Sequence, residues 1–187
     1  PNQMKKVKFL TISIFAIALF ASCSDDDVPE TVLPQEVITT LRLTLEPIGG
    51  GTDIVLEYRD LDADGPNPPV VDVSGNLAAG TSYNGAILLL NETVDPPENV
   101  TEEVDEESLE HQFFYTLGGD LNVTTEYENF DADGNPLGTE LMLSAGEASS
   151  GTLTLTLRHE PNKPNSGLAD AGGETDIEVT FDVAVVD

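Results

Sequence analysis

The chain has few basic residues and no tryptophan. Among its 187 residues, seven Lys and Arg stand against 35 Asp and Glu, and the formal net charge is -28. Lys5, Lys6 and Lys8 lie in the predicted leader described below, so the rest of the chain carries 4 - 35 = -31. Four cations are too few to displace the counterions of a nucleic acid, which excludes nucleic acid as a direct partner, whereas divalent cations are natural partners.

Sequence motifs of catalysis are also missing. The chain has no Gly-x-Ser-x-Gly, no His-Glu-x-x-His, no Gly-rich phosphate loop followed by Lys, and no cysteine besides Cys23. Aromatic residues make up only 6% of the chain, which is a poor platform for binding sugars. The sequence therefore predicts a protein that is not an enzyme.

Residues 1–23 resemble a bacterial lipoprotein signal peptide. Basic residues at 4–8 precede an apolar segment at 9–20, which is shorter than the ~20 residues that a membrane-spanning helix needs. The segment ends at Phe20-Ala21-Ser22-Cys23, which is similar to a lipobox and places the only cysteine at the acylation position. We predict a lipid anchor on Cys23; the alternative is a free, buried cysteine in a signal anchor.

Residues 24–36 are predicted to form a flexible acidic tether, because they are polar, interrupted by Pro and without periodicity. The run Asp25-Asp26-Asp27 directly after the cysteine resembles the surface-export signal of lipoproteins from Bacteroidota; a plain solvated spacer is the alternative. The predicted location is the outer membrane, lipid-anchored, on the cell surface or the periplasmic face.

An alternation of apolar and polar residues with a period of two dominates residues 37–187, which we predict to form one β-domain. Leu41, Leu43 and Leu45, for example, alternate with polar residues, as in a strand with one buried face. Nine such segments are separated by Gly, Asn, Asp and Pro, and they predict an all-β, antiparallel β-sandwich of about nine strands. One short helix is predicted at residues 100–110, after a sequence that resembles a capping box.

Two acidic loops carry the ligand pattern of a calcium site. In the first loop, Asp60, Asp62 and Asp64 occupy alternate positions before Gly65, which allows a sharp turn. Position 12 of this loop is Val71, so the ligand set is incomplete unless another segment contributes. The alternative is an Asp-Gly hairpin turn that binds nothing.

The second loop has the more complete ligand set. Asn129, Asp131, Asp133 and Glu140 stand at positions 1, 3, 5 and 12 of an EF-hand loop, although the flanking residues alternate like strands. We predict calcium as the cofactor of both loops, with the same hairpin alternative. The segment 167–176, which contains three acidic residues and three glycines, could donate a further ligand to either loop or form a tight turn.

The similarity between the two loops extends to their flanks. A Gly-Gly pair precedes each loop, and a strand that starts with Gly follows each, at residues 85–90 and 151–157. A duplicated strand–loop–strand–strand unit, with two halves that share one core, explains the pattern. Convergent turn chemistry is the alternative.

The two histidines, His111 and His159, are candidate ligands of a transition metal. His159 shares the parity of the buried leucines before it, and His111 opens a predicted strand. If the two halves are a repeat, both histidines lie near corresponding strand ends. With a carboxylate such as Glu110 or Glu160 they could bind zinc or copper. We favour the alternative, a histidine at the rim of the core that is hydrogen-bonded to a carboxylate.

A resemblance to known proteins rests on six features of the sequence. They are Tyr58 and Tyr127 ahead of the loops and the segments 23–27, 110–115, 158–163 and 171–179. In these the chain is similar to an uncharacterised outer-membrane lipoprotein family of Bacteroidota, sometimes labelled type 1 periplasmic binding fold superfamily and found beside TonB-dependent receptors. The resemblance implies a role in uptake. Together with the two acidic loops, it predicts a lipid-anchored, calcium-binding accessory to receptor-mediated uptake; the alternative is a structural or adhesive surface lipoprotein with calcium-stabilised loops.

Overall fold

The structure, a computed structural model, describes residues 36–62 and 65–187. The predicted signal peptide, the lipidation site Cys23, residues 24–35 of the predicted tether and the candidate ligand Asp64 lie outside the described residues. Neither helix in the described part of the chain is long and apolar enough to cross a membrane.

Strands make up most of the described chain, and the predicted all-β class is confirmed. Eleven strands and two short helices are present in the described residues. They are β1 (Thr40–Pro47), β2 (Ile54–Arg59), β3 (Val70–Val73), β4 (Leu77–Ala78), β5 (Ser82–Asn91), β6 (Glu98–Asn99), α1 (Val100–Glu106), β7 (His111–Gly119), β8 (Val123–Tyr127), β9 (Glu140–Ala145), β10 (Ser149–His159), α2 (Leu168–Ala171) and β11 (Glu174–Val186).

The strands form two sheets, which we call the large and the small sheet. The large sheet has the order β3-β2-β1-β5-β9-β8, and β6 pairs with β5. The small sheet has the order β4-β11-β10-β7. Neighbouring strands are antiparallel except β4 and β11, which are parallel.

Side chains from both sheets meet in one hydrophobic core. Leu43 of β1, Leu155 of β10 and Phe181 of β11 are fully buried members of it. Each such side chain contributes about 1.5–3 kcal/mol through removal of its apolar surface from water. The period-two alternation therefore stabilises the sandwich because it directs every second side chain into this shared core.

All nine predicted strands are present, and the differences from the prediction concern short elements. The sequence does not predict β4 and β6, because a strand of two residues cannot display an alternating pattern. The first helix ends at Glu106, earlier than the predicted residue 110, and its last turn contains no basic residue. Acidic side chains at that end oppose the helix dipole, which favours an early end.

Asn99 begins helix α1 much as the capping-box pattern predicts. Its side-chain oxygen accepts a hydrogen bond from the backbone N–H of Thr101, and its amide donates to Glu102. Val100 and Val104 are buried on the inner face of the helix. The cap thus fixes the start of a helix that is too short to be stable alone.

Replacing Asn99 with alanine should lower the free energy of unfolding by about 1 kcal/mol, because the N–H of Thr101 loses its acceptor. Asn99→Asp keeps an acceptor oxygen and should stay within about 0.5 kcal/mol of the wild type. Urea unfolding measures both values. An equal loss in the two variants would contradict the capping role.

The two acidic loops occupy equivalent hairpins, but the similarity ends there. The first loop joins the paired strands β2 and β3, and the second joins the paired strands β8 and β9, all in the large sheet. Of the two strands that the repeat matches, at residues 85–90 and 151–157, the first belongs to β5 in the large sheet and the second to β10 in the small sheet. The halves therefore differ in topology, and the repeat is confined to the hairpins.

Candidate metal centre

In the first acidic loop, hydrogen bonds hold Asp62 and one of the two oxygens of Asp60. Asp62 accepts hydrogen bonds from the backbone N–H of Asn67 at 3.2 Å and from its side-chain amide at 2.6 Å. These bonds to Asn67 lower the pKa of Asp62. Oδ2 of Asp60 accepts from the Tyr58 hydroxyl at 3.5 Å, while its Oδ1 is buried without a hydrogen-bond partner.

In the second loop, a lysine from a distant segment neutralises the central aspartate. Nζ of Lys163 lies 3.1 Å from Oδ2 of Asp131, and the two side chains are 6% and 0% exposed. Oδ1 of Asp131 accepts from the backbone N–H groups of Asp133 and Asn135, each at 2.9 Å. Burial would raise the pKa of Asp131, but the bonds from Asn135 and Lys163 together lower it.

The remaining candidate ligands of the second loop do not converge on Asp131. Oδ1 of Asn129 accepts from the backbone N–H groups of Gly138 and Glu140, as in a side-chain-stabilised turn. Asp133 and Glu140 are exposed. The structure therefore shows hydrogen-bonded hairpins at the loops, and calcium binding stays a prediction that melting curves with and without Ca²⁺ would test.

The two histidines, in contrast, are brought together. His111 and His159 are direct cross-strand neighbours in β7 and β10. Their rings stack with centroids 4.8 Å apart and an interplanar angle of 9°. Both follow the inward parity of their strands, so the pair lies at one end of the core face of the small sheet. His111 is 1% exposed.

A β-bulge adds a carboxylate to this pair. Strands β10 and β11 pair in register on both sides of a shift between Leu157 and Arg158. Leu157 pairs with Ile177 and Arg158 with Thr175, which leaves Asp176 as the unpaired extra residue. A bulge re-aims a side chain, and the side chain of Asp176 is 2% exposed and 3.9 Å from Nε2 of His111.

The neighbouring helix fixes the tautomer of His111. Its Nδ1 lies 3.3 Å from the backbone carbonyl oxygen of Glu107, the residue directly after α1. A carbonyl oxygen can only accept a hydrogen bond. Nδ1 therefore carries the proton, and the lone pair of Nε2 is free. Metal-binding histidines commonly donate their other N–H to a carbonyl in this way.

The free nitrogen of His111 faces two carboxylates. Nε2 lies 3.6 Å from Oε1 of Glu36 and 3.9 Å from Oδ2 of Asp176. Both distances are too long for a hydrogen bond. Oε2 of Glu36 and Oδ2 of Asp176 are buried and have no hydrogen-bond partner. The three side chains therefore face one another without a hydrogen bond between them.

The electrostatics of this cluster disfavour charge without a cation. Burial raises the pKa of Glu36 to about 7, and the carboxylates of Glu103 and Asp176 contribute to the rise. Burial also raises the pKa of Asp176 to about 6 and lowers the pKa of His111. The cause in each case is that removal from water destabilises the charged form. A bound divalent cation would compensate the two acids.

Three overlapping groups of ligands lie in this region. Within residues 36–62 and 65–187, these groups bring His, Asp and Glu ligand atoms within 4.8 Å of one another, and none contains a residue of the acidic loops. The groups are His111–His159–Asp176, Glu36–Glu107–His111 and Glu110–His159–Glu160. The predicted partnership of His159 with Glu110 and Glu160 thus matches the exposed third group. His111 instead gathers Glu36, Glu107 and Asp176.

Sequence reasoning missed the carboxylates nearest to His111. Asp176 precedes the inward-facing Ile177 and would point to solvent in a regular strand; only the bulge turns it inward. Glu36 is the last residue of the predicted tether, whereas in the structure its side chain is 17% exposed and contacts His111. The acid-rich segment 167–176 was a signal for Asp176, but toward the loops rather than the histidines.

No protein-family model matches the chain, and comparisons with curated proteins and with solved structures find no match. The resemblance to lipoproteins of Bacteroidota remains a prediction. The function is therefore argued from the geometry of the site.

Proposed function

We propose that this protein is a metal-binding module that holds a divalent transition-metal ion, zinc or copper, at His111, His159 and Asp176. The observation that carries the proposal is the buried, unpartnered oxygen of Asp176 that faces the free lone pair of His111. Imidazole and carboxylate ligands together suit zinc and copper, whereas calcium takes oxygen ligands.

A comparison within the molecule supports a cation at this place. The buried Asp131 is neutralised by Lys163, a cation that the chain itself provides. Around Glu36 and Asp176, the described residues offer only His111 as an ion-pair partner within 4.0 Å. Burial of two acids without a counter-charge is costly. An ion from solution would supply the missing charge.

The distances fit an empty site that contracts on binding. In a tetrahedral zinc site with bonds of 2.0–2.1 Å, neighbouring ligand atoms lie roughly 3.3 Å apart. The separation of Nε2 of His111 and Oδ2 of Asp176 is 3.9 Å, so this pair must close by about half an ångström. All ligand atoms of the group lie within 4.8 Å of one another, so binding requires side-chain adjustment but no movement of the strands. The register of β7 and β10 holds the two histidines on neighbouring strands, and their stacked rings would turn so that both in-plane lone pairs point at the ion.

The predicted lipid anchor would place this module at the outer membrane. A domain tethered through Cys23 at the outer membrane would capture a metal ion and present it to an outer-membrane transporter of the TonB-dependent class. The support for this part of the proposal is the lipobox-like sequence and the absence of recognisable catalytic motifs.

Metal titration of the full chain, purified in detergent, tests the proposal. Calorimetry at pH 7 should show one Zn²⁺ or Cu²⁺ ion per chain for the wild type. Asp176→Asn and His159→Gln should each weaken binding by about 100-fold or more, since loss of an outer-shell partner alone costs 10–100-fold. Asp182→Asn, an exposed residue of the same strand as Asp176, is the matched control and should bind normally.

Two results would contradict the proposal. The first is that the wild type, stripped of metal with a chelator, takes up neither ion. The second is that Asp176→Asn binds as tightly as Asp182→Asn, which would show that the buried carboxylate is not a ligand.

A further inference from the structure

We propose that Glu36 is an additional ligand of this metal, so that ion binding fastens the segment ahead of β1 to the small sheet. This inference rests on the proposed metal site and adds a residue from outside that sheet. It assigns the ion a second role, which is to link the segment ahead of β1 to the small sheet.

The first observation is the position of the Glu36 carboxylate. Oε1 lies 3.6 Å from Nε2 of His111, closer than the nearest oxygen of Asp176 at 3.9 Å. Oε2 is buried and has no hydrogen-bond partner. A buried acid oxygen without a donor is uncommon in proteins, and a missing ion is one of its explanations.

The second observation concerns the segment that carries Glu36. Ile38 packs against the core, and Thr39 is fully buried. The backbone N–H of Thr39 donates to the carbonyl of Leu90 at 2.9 Å, and its hydroxyl donates to the same carbonyl at 3.0 Å. Residues 38 and 39 are therefore held by the large sheet, and Glu36 lies just beyond this fixed point.

The third observation is the origin of the ligands. His111, His159 and Asp176 come from β7, β10 and β11 of the small sheet. Glu36 precedes β1 of the large sheet, and it belongs to a ligand group that shares His111 with the group of Asp176. An ion bound to all four would join the two layers at the place where the predicted tether enters the domain.

Rotation of the Glu36 side chain would bring its carboxylate from the group with Glu107 to the ion at His111, His159 and Asp176. A glutamate has several rotatable bonds, and its carboxylate can move by an ångström or more while its backbone stays in place. The ion would draw the carboxylate from its group with Glu107 toward the histidine pair. The helix end at Glu107 keeps its own hydrogen bond to His111 and continues to orient the ring.

Zinc titration of the full chain with Glu36→Gln tests the inference. We expect about 10-fold or greater weakening of binding relative to the wild type. The matched control is Glu103→Gln, because Glu103 is exposed, is the carboxylate whose charge raises the pKa of Glu36 most and belongs to none of the three ligand groups. This control removes the same charge without a ligand and should change the affinity by less than about 3-fold.

Hydrogen exchange gives a second measurement. Zinc should slow exchange of the Thr39 amide in the wild type and in Glu103→Gln, but not in Glu36→Gln at zinc saturation. Equal affinity in the two variants, or equal zinc protection of Thr39, would overturn the inference.

The failure of this inference and the failure of the proposed function give different results. If the wild type binds zinc and Asp176→Asn does not, the metal site stands. Normal binding by Glu36→Gln would then contradict only the role of Glu36. If the wild type does not bind, the proposed function itself fails.

Discussion

Replacing Lys163 with methionine will lower the free energy of unfolding by about 3–5 kcal/mol, because it leaves a buried carboxylate without its partner. Nζ of Lys163 bonds to Oδ2 of Asp131 at 3.1 Å and to the backbone carbonyl of Ser108 at 2.7 Å. Both charged side chains are nearly inaccessible to water. Methionine retains most of the apolar stem, so the loss reports the charge and the hydrogen bonds rather than packing.

The variant Asp131→Asn in the Lys163→Met background separates these effects. Asparagine keeps an oxygen for the backbone N–H groups of Asp133 and Asn135 and removes the unpaired charge. We expect the double variant to regain at least half of the lost stability. Urea unfolding at pH 7 measures both. A double variant no more stable than Lys163→Met would show that the charge of Asp131 is not the cause.

Raising the pH from 5 to 8 will destabilise the metal-free protein through Glu36 and Asp176, by about 2–4 kcal/mol for the two together. Burial raises the pKa of Glu36 from 4.5 to about 7 and the pKa of Asp176 from 3.8 to about 6. The folded state therefore binds protons that the unfolded state has released. The stabilisation is complete below pH ~4 and is lost as the pH rises through 6 to 7.

This magnitude is smaller than the two shifts would give separately. The side chain of Glu36 is 17% exposed, so solvent screens part of its interaction, and the two acids influence each other. The groups that face Glu36 are Glu98, Glu103, Glu107 and Asp176, together with His111. Their negative charge adds to the destabilisation at high pH.

Urea unfolding with a chelator at pH 5, 6, 7 and 8 measures the dependence. Glu36→Gln carries no titrating proton and should have a flatter stability profile than the wild type, with the difference concentrated between pH 5 and 7.5. Glu103→Gln provides the charge control. Parallel profiles of the wild type and Glu36→Gln would contradict the raised pKa of Glu36.

The alternation of apolar residues is sufficient to predict the nine longer strands, because each strand has one face in the shared core. The predictable part includes the inward parity of His159, which follows from Leu153, Leu155 and Leu157. Two-residue strands carry no such periodicity. The partition of strands between two sheets depends on long-range pairing, which is why the apparent repeat did not predict that β5 and β10 lie in different sheets.

Of the candidate site, the sequence predicted the histidines but not the buried carboxylates beside them. Strand parity placed His159 at the rim of the core face, and only the proposed repeat placed His111 near a corresponding strand end; the structure stacks the two rings. The position of Asp176 depends on a local register shift, which no periodicity in the sequence indicates. The pairing of Lys163 with Asp131 spans 32 residues and converts a loop with calcium-like spacing into one already neutralised by the chain.

The register shift in β11 also makes the scaffold and the chemistry of this domain separable. Residues on both sides of Asp176 pair as they would in an uninterrupted ladder, with Thr175 opposite Arg158 and Ile177 opposite Leu157. Deletion of Asp176 would make the pairing of β10 and β11 continuous and leave every other residue pair between these strands unchanged. Natural relatives could therefore gain or lose the carboxylate by a one-residue insertion or deletion while they inherit the same sandwich.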